Sequence, residues 1–270
     1  MSYTAPPVNE VYLAVQFESP VADERTALAE FWPRVLEQFP GLERQPALPR
    51  IGEQFDTPPT PPPFPFEIGT AAPPQRYWFV SGDSNRLLQV QPDRFLFNWR
   101  KVRPEDDYPR YSALRPEFEQ SFATFLDSLP PEKRDGATAD WCEIGYINHV
   151  EARGDTAFSH LPLSRVLRFV DQPPSDALAP AEDMQVQFRK VIRDQDRPTG
   201  RLYFTAAAGF RAHDQVPIYV IQLFMRGRPE GNDMNDIVNF FDRGRELIVS
   251  GFTEATTQEM HDAWGLQARG

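Results

Sequence analysis

Seven side chains in the first half of the chain are of the types that recognise a ligand or a protein partner. Amide and guanidinium groups offer fixed hydrogen-bond donors, and a tyrosine ring offers a flat surface with one polar end. The predicted binding residues are Gln89, Gln91, Asn98, Arg100, Tyr108, Arg110 and Tyr111. A structural interpretation competes with this prediction, because the arginines can pair with Glu105, Asp106 or Asp107 and the tyrosines can pack where a helix begins.

A second group of side chains has the composition of a metal or acid–base site. His149 and His160 occur near the carboxylates of Glu143, Glu151 and Asp155, and imidazole with carboxylate suits zinc binding or proton transfer. Their spacing is irregular, so a structural interpretation places His149 at the end of a strand and His160 in a loop. We therefore assign no catalytic residue, no metal ligand and no cofactor, and we favour a non-enzymatic role.

The remaining reactive groups are interpreted as structural. Strand alternation places Cys142 on the same face as Ile144 and Tyr146, so the thiol is predicted to be a buried apolar group and not a nucleophile. His261 falls in a terminal helix, where packing or capping is expected. The segment 227–231 contains a proline and lacks the Lys-Ser/Thr ending of a phosphate-binding loop.

The predicted binding residues depend on a β-hairpin over residues 86–102. Its two strands alternate between apolar and polar side chains on either side of a turn at Pro92-Asp93. One face carries Leu88, Val90, Phe95, Phe97 and Trp99, and the other carries Gln89, Gln91, Arg94, Asn98 and Arg100. The apolar face needs a cover, which amphipathic helices supply. The polar face is expected to stay free for binding.

The rest of the chain repeats one order of elements in two halves. The first half is predicted to contain strands at 10–18, 76–81, 86–91 and 94–102, and helices at 23–39 and from about 111 to 129. The second half is predicted to contain strands at 141–151, 184–193, 201–210 and 217–227, a weakly helical segment at 161–170, a long helix capped by Asn232 or Asp233, and a last helix at 256–264 capped by Thr256.

This repeated order predicts an α+β fold built from two duplicated β-α-β-β-β-α halves, residues 1–135 and 136–270. We expect the halves to form an antiparallel sheet with helices on one face, as in TATA-binding-protein-like and helix-grip folds. Within the first half, the proline-rich segment 57–65 is predicted to be a polyproline II connector.

Composition limits the class of protein. The formal net charge of −11 and the isoelectric point near 4.9 oppose binding to DNA or RNA, which requires lysines and arginines to displace counterions from phosphates. The same charge suits a basic protein partner. One cysteine in 270 residues is typical of a reducing compartment, and no segment approaches the roughly 20 apolar residues of a membrane span. We therefore predict a cytoplasmic protein that contacts neither nucleic acid nor membrane directly.

Several short motifs follow one another along the chain. They are RYWF at 76–79, LQVQPDRF at 88–95, NWRK at 98–101, YPRY at 108–111, YINH at 146–149 and the region Phe252 to Trp264 with Met260-His261. In this order they resemble an uncharacterised bacterial protein family of sporadic distribution and unknown function. The resemblance implies no reaction. Patchy occurrence implies an accessory role in a bacterial defence, toxin–antitoxin or similar exchanged locus.

We therefore predict a non-enzymatic binding protein that engages a partner protein through the polar sheet face or a cleft between the halves. Association with a second copy, as a homodimer, is one form that this binding would take. The first alternative is a sensor that holds a small ligand between helices and sheet. The second alternative is a metal-dependent hydrolase or nuclease that uses His149 with nearby carboxylates.

Overall fold

The computed structural model describes residues 2–56, 75–171, 177, 181 and 183–267, which contain a nine-stranded antiparallel sheet, a small two-stranded sheet and six α-helices. The α+β class and the antiparallel sheet agree with the sequence prediction. The predicted polyproline II connector at 57–65 lies outside the described residues. Within those residues, no helix combines the length and the apolar character needed to cross a membrane.

The described strands form one large sheet and one small sheet. They are β1 (Ser2–Tyr3), β2 (Val8–Phe17), β3 (Gly41–Pro46), β4 (Gln75–Val80), β5 (Arg86–Gln91), β6 (Arg94–Arg100), β7 (Ala139–Glu151), β8 (Val186–Asp194), β9 (Arg197–Phe210), β10 (Pro217–Gly227) and β11 (Leu266–Gln267). The large sheet has the order β3-β4-β5-β6-β2-β7-β10-β9-β8, and β1 pairs with β11 in the small sheet. The strands β2 of the first half and β7 of the second half therefore pair at the centre of a continuous sheet.

Two long helices lie on one face of the large sheet. The helices are α1 (Trp32–Val35), α2 (Tyr111–Ser128), α3 (Pro131–Asp135), α4 (Leu163–Val166), α5 (Met234–Ala255) and α6 (Gln258–Trp264), and a π-helical turn at Thr26–Phe31 leads into α1. The long helices, α2 and α5, each follow the strand that lies next to the central strand of their half. They contact β6, β7 and β10.

The apolar face of the 86–102 hairpin is covered by helices, as the alternation predicts. Phe95, Phe97 and Trp99 are at most 1% exposed. The ring centroids of Phe95 and Phe125, which belongs to α2, are 5.1 Å apart, and the Trp99 ring lies 5.4 Å from the Tyr108 ring. Burial of such aromatic side chains contributes most of the free energy that holds helices on the sheet.

A glycine allows α5 to lie close to the central strand of the second half. A Cβ atom placed on Gly244 would lie 2.4 Å from Cγ2 of Ile144 on β7. Atoms at that distance overlap, so only a residue without a side chain fits this crossing. Ile144 and its neighbour on the same strand face, Cys142, are fully buried under the helix, which confirms the structural interpretation of the cysteine.

Three local predictions differ from the structure. The helix predicted at 23–39 ends at Val35, and Pro33 does not end it, because the chain stays helical from the π-helical turn at Thr26–Phe31 into α1. The edge strand β3 was not predicted. The cap of α6 is Thr257, whose hydroxyl accepts a hydrogen bond from the Met260 N–H. Thr256, predicted as that cap, is instead fully buried and bonds to His261.

Candidate functional site

The structure separates the seven predicted binding residues into two places. Gln89, Gln91, Asn98 and Arg100 lie on the strands of the hairpin, on the face opposite the long helices. Tyr108, Arg110 and Tyr111 lie where the chain leaves β6 and enters α2, on the helix-covered side. The two groups therefore do not form one surface, and each has its own surroundings.

The hairpin residues are hydrogen-bonded to one another and to their neighbours. The Gln89 amide donates to Asn98 Oδ1 at 2.7 Å, and the Asn98 amide donates to Glu10 Oε1 at 2.6 Å. Gln89 and Asn98 are both 4% exposed. Burial raises the pKa of Glu10, against the opposing effects of Asn98 and Arg100. Arg100 itself donates to the Ser84 carbonyl oxygen at 3.1 Å.

A length of the chain, residues 47–56, crosses the polar face of the sheet; we call it the cross-sheet segment. The Gln91 side chain bonds to both backbone groups of Leu48, accepting from its N–H at 2.9 Å and donating to its carbonyl oxygen at 3.1 Å. Gln16 on β2 binds the backbone of Ile51 in the same two-sided way, at 2.7 and 2.8 Å. Amide side chains match the backbone because each carries one donor group and one acceptor.

The cross-sheet segment continues onto the strands of the second half through Glu53. The Glu53 carboxylate, 2% exposed, pairs with Arg201 on β9 and lies 3.4 Å from a nitrogen of Arg226 on β10. It also accepts a hydrogen bond from the Tyr203 hydroxyl. The expectation of a free polar face is therefore wrong where this segment lies, because the protein's own backbone and carboxylate occupy the groups that a partner would use.

A cavity of about 620 Å³ lies on the other side of the sheet, between α5, the start of α2 and the central strands. Three of the predicted binding residues line this cavity: Tyr108, Arg110 and Tyr111. The terminal residues of β1 and β11 lie on one side of it. The other lining residues include Val8, Ser112, Tyr146, Asn148, Arg245, Ile248, Val249 and Phe252. We call this space the tyrosine cavity. Its volume is in the range of small-molecule sites.

Two tyrosine hydroxyls meet in the wall of the tyrosine cavity. The hydroxyl oxygens of Tyr108 and Tyr146 are 3.2 Å apart, and either can donate. Burial raises the pKa of both phenols, and for Tyr146 the Tyr108 hydroxyl adds to that rise, while the charge of Arg245 opposes it. Both groups are therefore neutral near pH 7. Their mutual bond uses one of the two hydroxyl protons, which leaves the other to donate to a bound molecule.

The charged groups at the tyrosine cavity are positive. Arg110 and Arg245 line it, and none of its described lining residues is Asp or Glu. Arg110 donates to the Thr4 carbonyl oxygen at 3.1 Å, and its guanidinium lies 5.9 Å from the centre of the Tyr108 ring. Tyr111 points its hydroxyl away to Asp242, at 2.8 Å, and this acceptor contributes, after burial, to the raised pKa of Tyr111.

Arg110 has an unusual backbone conformation. Its φ is 74° and its ψ is 150°, a region that is almost confined to glycine because a Cβ atom clashes there. Although Arg110 occupies the N-cap position of α2, its side chain makes no capping hydrogen bond. The strained backbone thus holds an arginine, and not a glycine, at the mouth of the cavity.

The histidine and carboxylate group predicted from the sequence does not form a cluster. Among the described residues, no group of three or more His, Cys, Asp or Glu side chains is placed to hold a metal ion. His160 bonds to the Gly209 carbonyl oxygen at 2.9 Å, and Glu151 pairs with Arg211. Burial lowers the pKa of His149. His160 and Glu151 therefore bond to other parts of the chain and not to a shared site.

Sequence reasoning missed Tyr146 and Arg245, which supply the second hydroxyl of the tyrosine pair and the second arginine of the cavity. Tyr146 was interpreted only as a core residue of its strand. Arg245 carries a signal that was not used: it lies at helical spacing between Phe241 and Ile248, so a charged residue interrupts the buried stripe of α5. Because burial of an unpaired charge is costly, a charge on an apolar helix face indicates a partner, a ligand or access to water at that position.

Comparison of the chain with protein-family models found no match, and comparison with curated protein sequences found none either. The candidate site is therefore argued from its geometry.

Proposed function

We propose that the protein binds a small molecule in the tyrosine cavity, between helices and sheet. The observation that carries this proposal is the cavity of about 620 Å³, whose mostly apolar wall contains paired tyrosine hydroxyls and two arginines. Ligand sites in proteins combine a mostly apolar surface with a few converging polar groups in the same way. Of the predicted binding residues, those in the YPRY motif at 108–111 contribute to this wall.

A panel of small molecules tests the proposal. Carboxylates, phosphates, amines and neutral aromatic compounds are added separately, and the unfolding temperature is measured for the wild-type protein and for Val249→Phe, which fills the cavity from α5. A compound present at about 100 times its Kd stabilises the folded state by about 2.7 kcal/mol. We expect at least one class to raise the wild-type unfolding temperature and to lose that effect in Val249→Phe.

Two further variants complete this test. Ser112→Phe fills the cavity from its more exposed side and replaces Val249→Phe if the latter folds poorly. Val102→Phe adds the same ring at an exposed position that does not line the cavity, and it should respond like the wild type. The proposal fails if no class stabilises the wild type, or if stabilisation survives both filling variants.

We also propose that the two halves arose by duplication and form a helix-grip-like or TATA-binding-protein-like arrangement. The support is the matching order of strands outward from the centre: β2, β6, β5 and β4 in the first half, and β7, β10, β9 and β8 in the second. In each half a long helix follows the strand beside the centre. Among the described residues of the second half, no strand corresponds to β3.

A partner protein is a second candidate, favoured by an exposed aromatic pair. Phe158 is 73% exposed and Phe210 is 45% exposed, with ring centroids 6.5 Å apart. Adjacent exposed aromatic residues are typical of protein interfaces. The partner would be a basic protein or a second copy of the chain, and an accessory role in a bacterial defence or toxin–antitoxin-type locus is supported by the family resemblance alone.

Sedimentation and binding measurements test this second candidate. If the aromatic pair is an interface, replacing Phe158 and Phe210 by serine should abolish self-association, or binding to the product of a neighbouring gene. Replacing Leu36, 46% exposed elsewhere, by serine should have no effect. A wild-type monomer that does not bind the neighbouring gene product would contradict the candidate.

A further inference from the structure

We infer that the ligand of the tyrosine cavity is an organic anion with an apolar body, whose charged group binds Arg245. This inference rests on the proposed function and specifies the chemistry of the ligand. It follows from the charges at the cavity, from the lack of a partner for Arg245 among the described residues, and from the apolar surface beside it.

The sign of the charge at the cavity is opposite to that of the whole protein. The chain has a formal net charge of −11, yet the described lining residues include two arginines and no carboxylate. A site of this kind attracts anions locally, and the low-dielectric wall strengthens the attraction relative to open water. A cation would find no opposite charge in the lining.

Arg245 is a half-buried residue, and its guanidinium makes no hydrogen bond or ion pair to another described residue. Its charge acts on the hydroxyls of both Tyr108 and Tyr146, lowering their pKa values, so it lies near the same part of the cavity. The nearby Arg115 differs, because Asp242 and Glu119 neutralise it. An unpaired guanidinium beside a free hydroxyl proton is suited to a carboxylate or a phosphate.

The surface next to these polar groups is apolar and belongs to α5. Ile248, Val249 and Phe252 follow Arg245 along the helix and line the cavity. A ligand whose anionic group binds Arg245 therefore places the rest of its body against aliphatic and aromatic side chains. Inorganic phosphate would leave that surface unfilled, so the structure favours an organic anion.

Two fluorescent probes with the same aromatic body test the charge requirement. They are 8-anilinonaphthalene-1-sulfonate, which is an anion, and N-phenyl-1-naphthylamine, which is neutral. Both are titrated into the wild type, Arg245→Met and Val249→Phe. Arg243→Met is the matched control, because it removes the same charge from the same helix at a residue outside the cavity.

We expect the anionic probe to bind the wild type more tightly than the neutral probe and to lose about ten-fold in affinity in Arg245→Met. Arg243→Met should lose much less, and Val249→Phe should weaken both probes. The inference is overturned if Arg245→Met and Arg243→Met have equal effects on the anionic probe. If the two arginine variants have equal effects but Val249→Phe still lowers the affinity for both probes, the inference fails and the proposed function stands. Probe binding that Val249→Phe does not change contradicts the proposed function itself.

Displacement of the bound sulfonate probe identifies the anionic group. Octanoate, octyl phosphate and 1-octanol share one apolar chain and differ in the head group. Displacement by octanoate or octyl phosphate, with no effect of 1-octanol, supports the inference. Comparison of octanoate with octyl phosphate then shows whether the site prefers a carboxylate or a phosphate. Displacement by 1-octanol at the same concentration as the anions contradicts it.

Discussion

The Tyr108 hydroxyl lies 3.2 Å from the Tyr146 hydroxyl, which ties the loop that enters α2 to the central strand of the other half. The two residues are 38 positions apart in the chain. They form the part of the tyrosine cavity wall where a free hydroxyl proton and the Arg245 charge meet.

Replacing Tyr146 by phenylalanine should weaken both folding and binding. The variant leaves the Tyr108 hydroxyl without its partner, so we expect the free energy of unfolding in urea to fall by about 1 kcal/mol. Affinity for the anionic probe should fall in parallel. Tyr219→Phe is the control: it removes another buried hydroxyl, bonded to the Leu161 carbonyl oxygen at 2.8 Å, and should leave probe affinity unchanged.

Relief of the strain at Arg110 should stabilise the fold and weaken binding. Glycine reaches a φ of 74° without the clash of a Cβ atom, whereas alanine does not. We therefore expect Arg110→Gly to have a higher free energy of unfolding than Arg110→Ala by about 1 kcal/mol. Both variants lose the guanidinium and should bind the anionic probe less tightly than the wild type. If Arg110→Ala is more stable than Arg110→Gly, the backbone at this position is not strained.

Two glycines of α5 should respond oppositely to alanine. At Gly244 the new Cβ would overlap Ile144, and we expect a loss of about 1–3 kcal/mol in the free energy of unfolding. At Gly251 the nearest atom, Cδ2 of Leu223, is 3.5 Å from the new Cβ, an ordinary contact. The better helix propensity of alanine should then raise stability by up to about 1 kcal/mol. Urea unfolding of the two variants checks the difference in sign.

Glu53 should contribute far more to stability than an exposed glutamate with similar bonds. Glu53→Gln leaves Arg201 and Arg226 beside a neutral group at a buried position, and we expect a loss of about 3 kcal/mol in the free energy of unfolding. Glu259, which is 47% exposed, also binds an arginine, Arg165. Glu259→Gln should cause a much smaller loss. Equal losses would mean that the cross-sheet segment is held by other contacts.

Asp106 should make folding stability depend on pH in the acid range. Desolvation opposes ionisation of its carboxyl, but hydrogen bonds from the Arg103 N–H, the Asn85 amide and the Val102 N–H outweigh it and lower the pKa from 3.8 to about 2. The stabilisation is therefore complete above about pH 4 and disappears as the pH falls towards 2. The free energy of unfolding is measured for the wild type and for Asp106→Asn from pH 7 to pH 2. The difference between the two proteins should disappear as the pH falls from about 4 to 2.

Much of the sheet was predictable because alternation along a strand fixes which residues share a face. The same rule places Phe95 and Trp99 under the helices. The strand β3 was not predictable in this way, because Glu43, Arg44 and Gln45 are polar. Half of the strand is exposed at the edge of the sheet, where no apolar face is required.

The candidate site was only partly predictable. The tyrosines and the arginine of the YPRY motif are recognisable by residue type, but their proximity to Tyr146 and Arg245 depends on how the two halves meet. The cross-sheet segment was not predictable for a similar reason. Its contacts join residues far apart in the chain, such as Glu53 and Arg201, and no local period in the sequence encodes them.

The cross-sheet segment should also couple the unfolding of the two halves. It bonds to Gln91 and Gln16 at one end and to Arg201 and Arg226 at the other, so opening either half exposes groups that the other half helps to bury. Amide hydrogens on strands of the two halves should therefore exchange with deuterium at similar rates. We therefore expect the two halves to unfold together, as one cooperative unit.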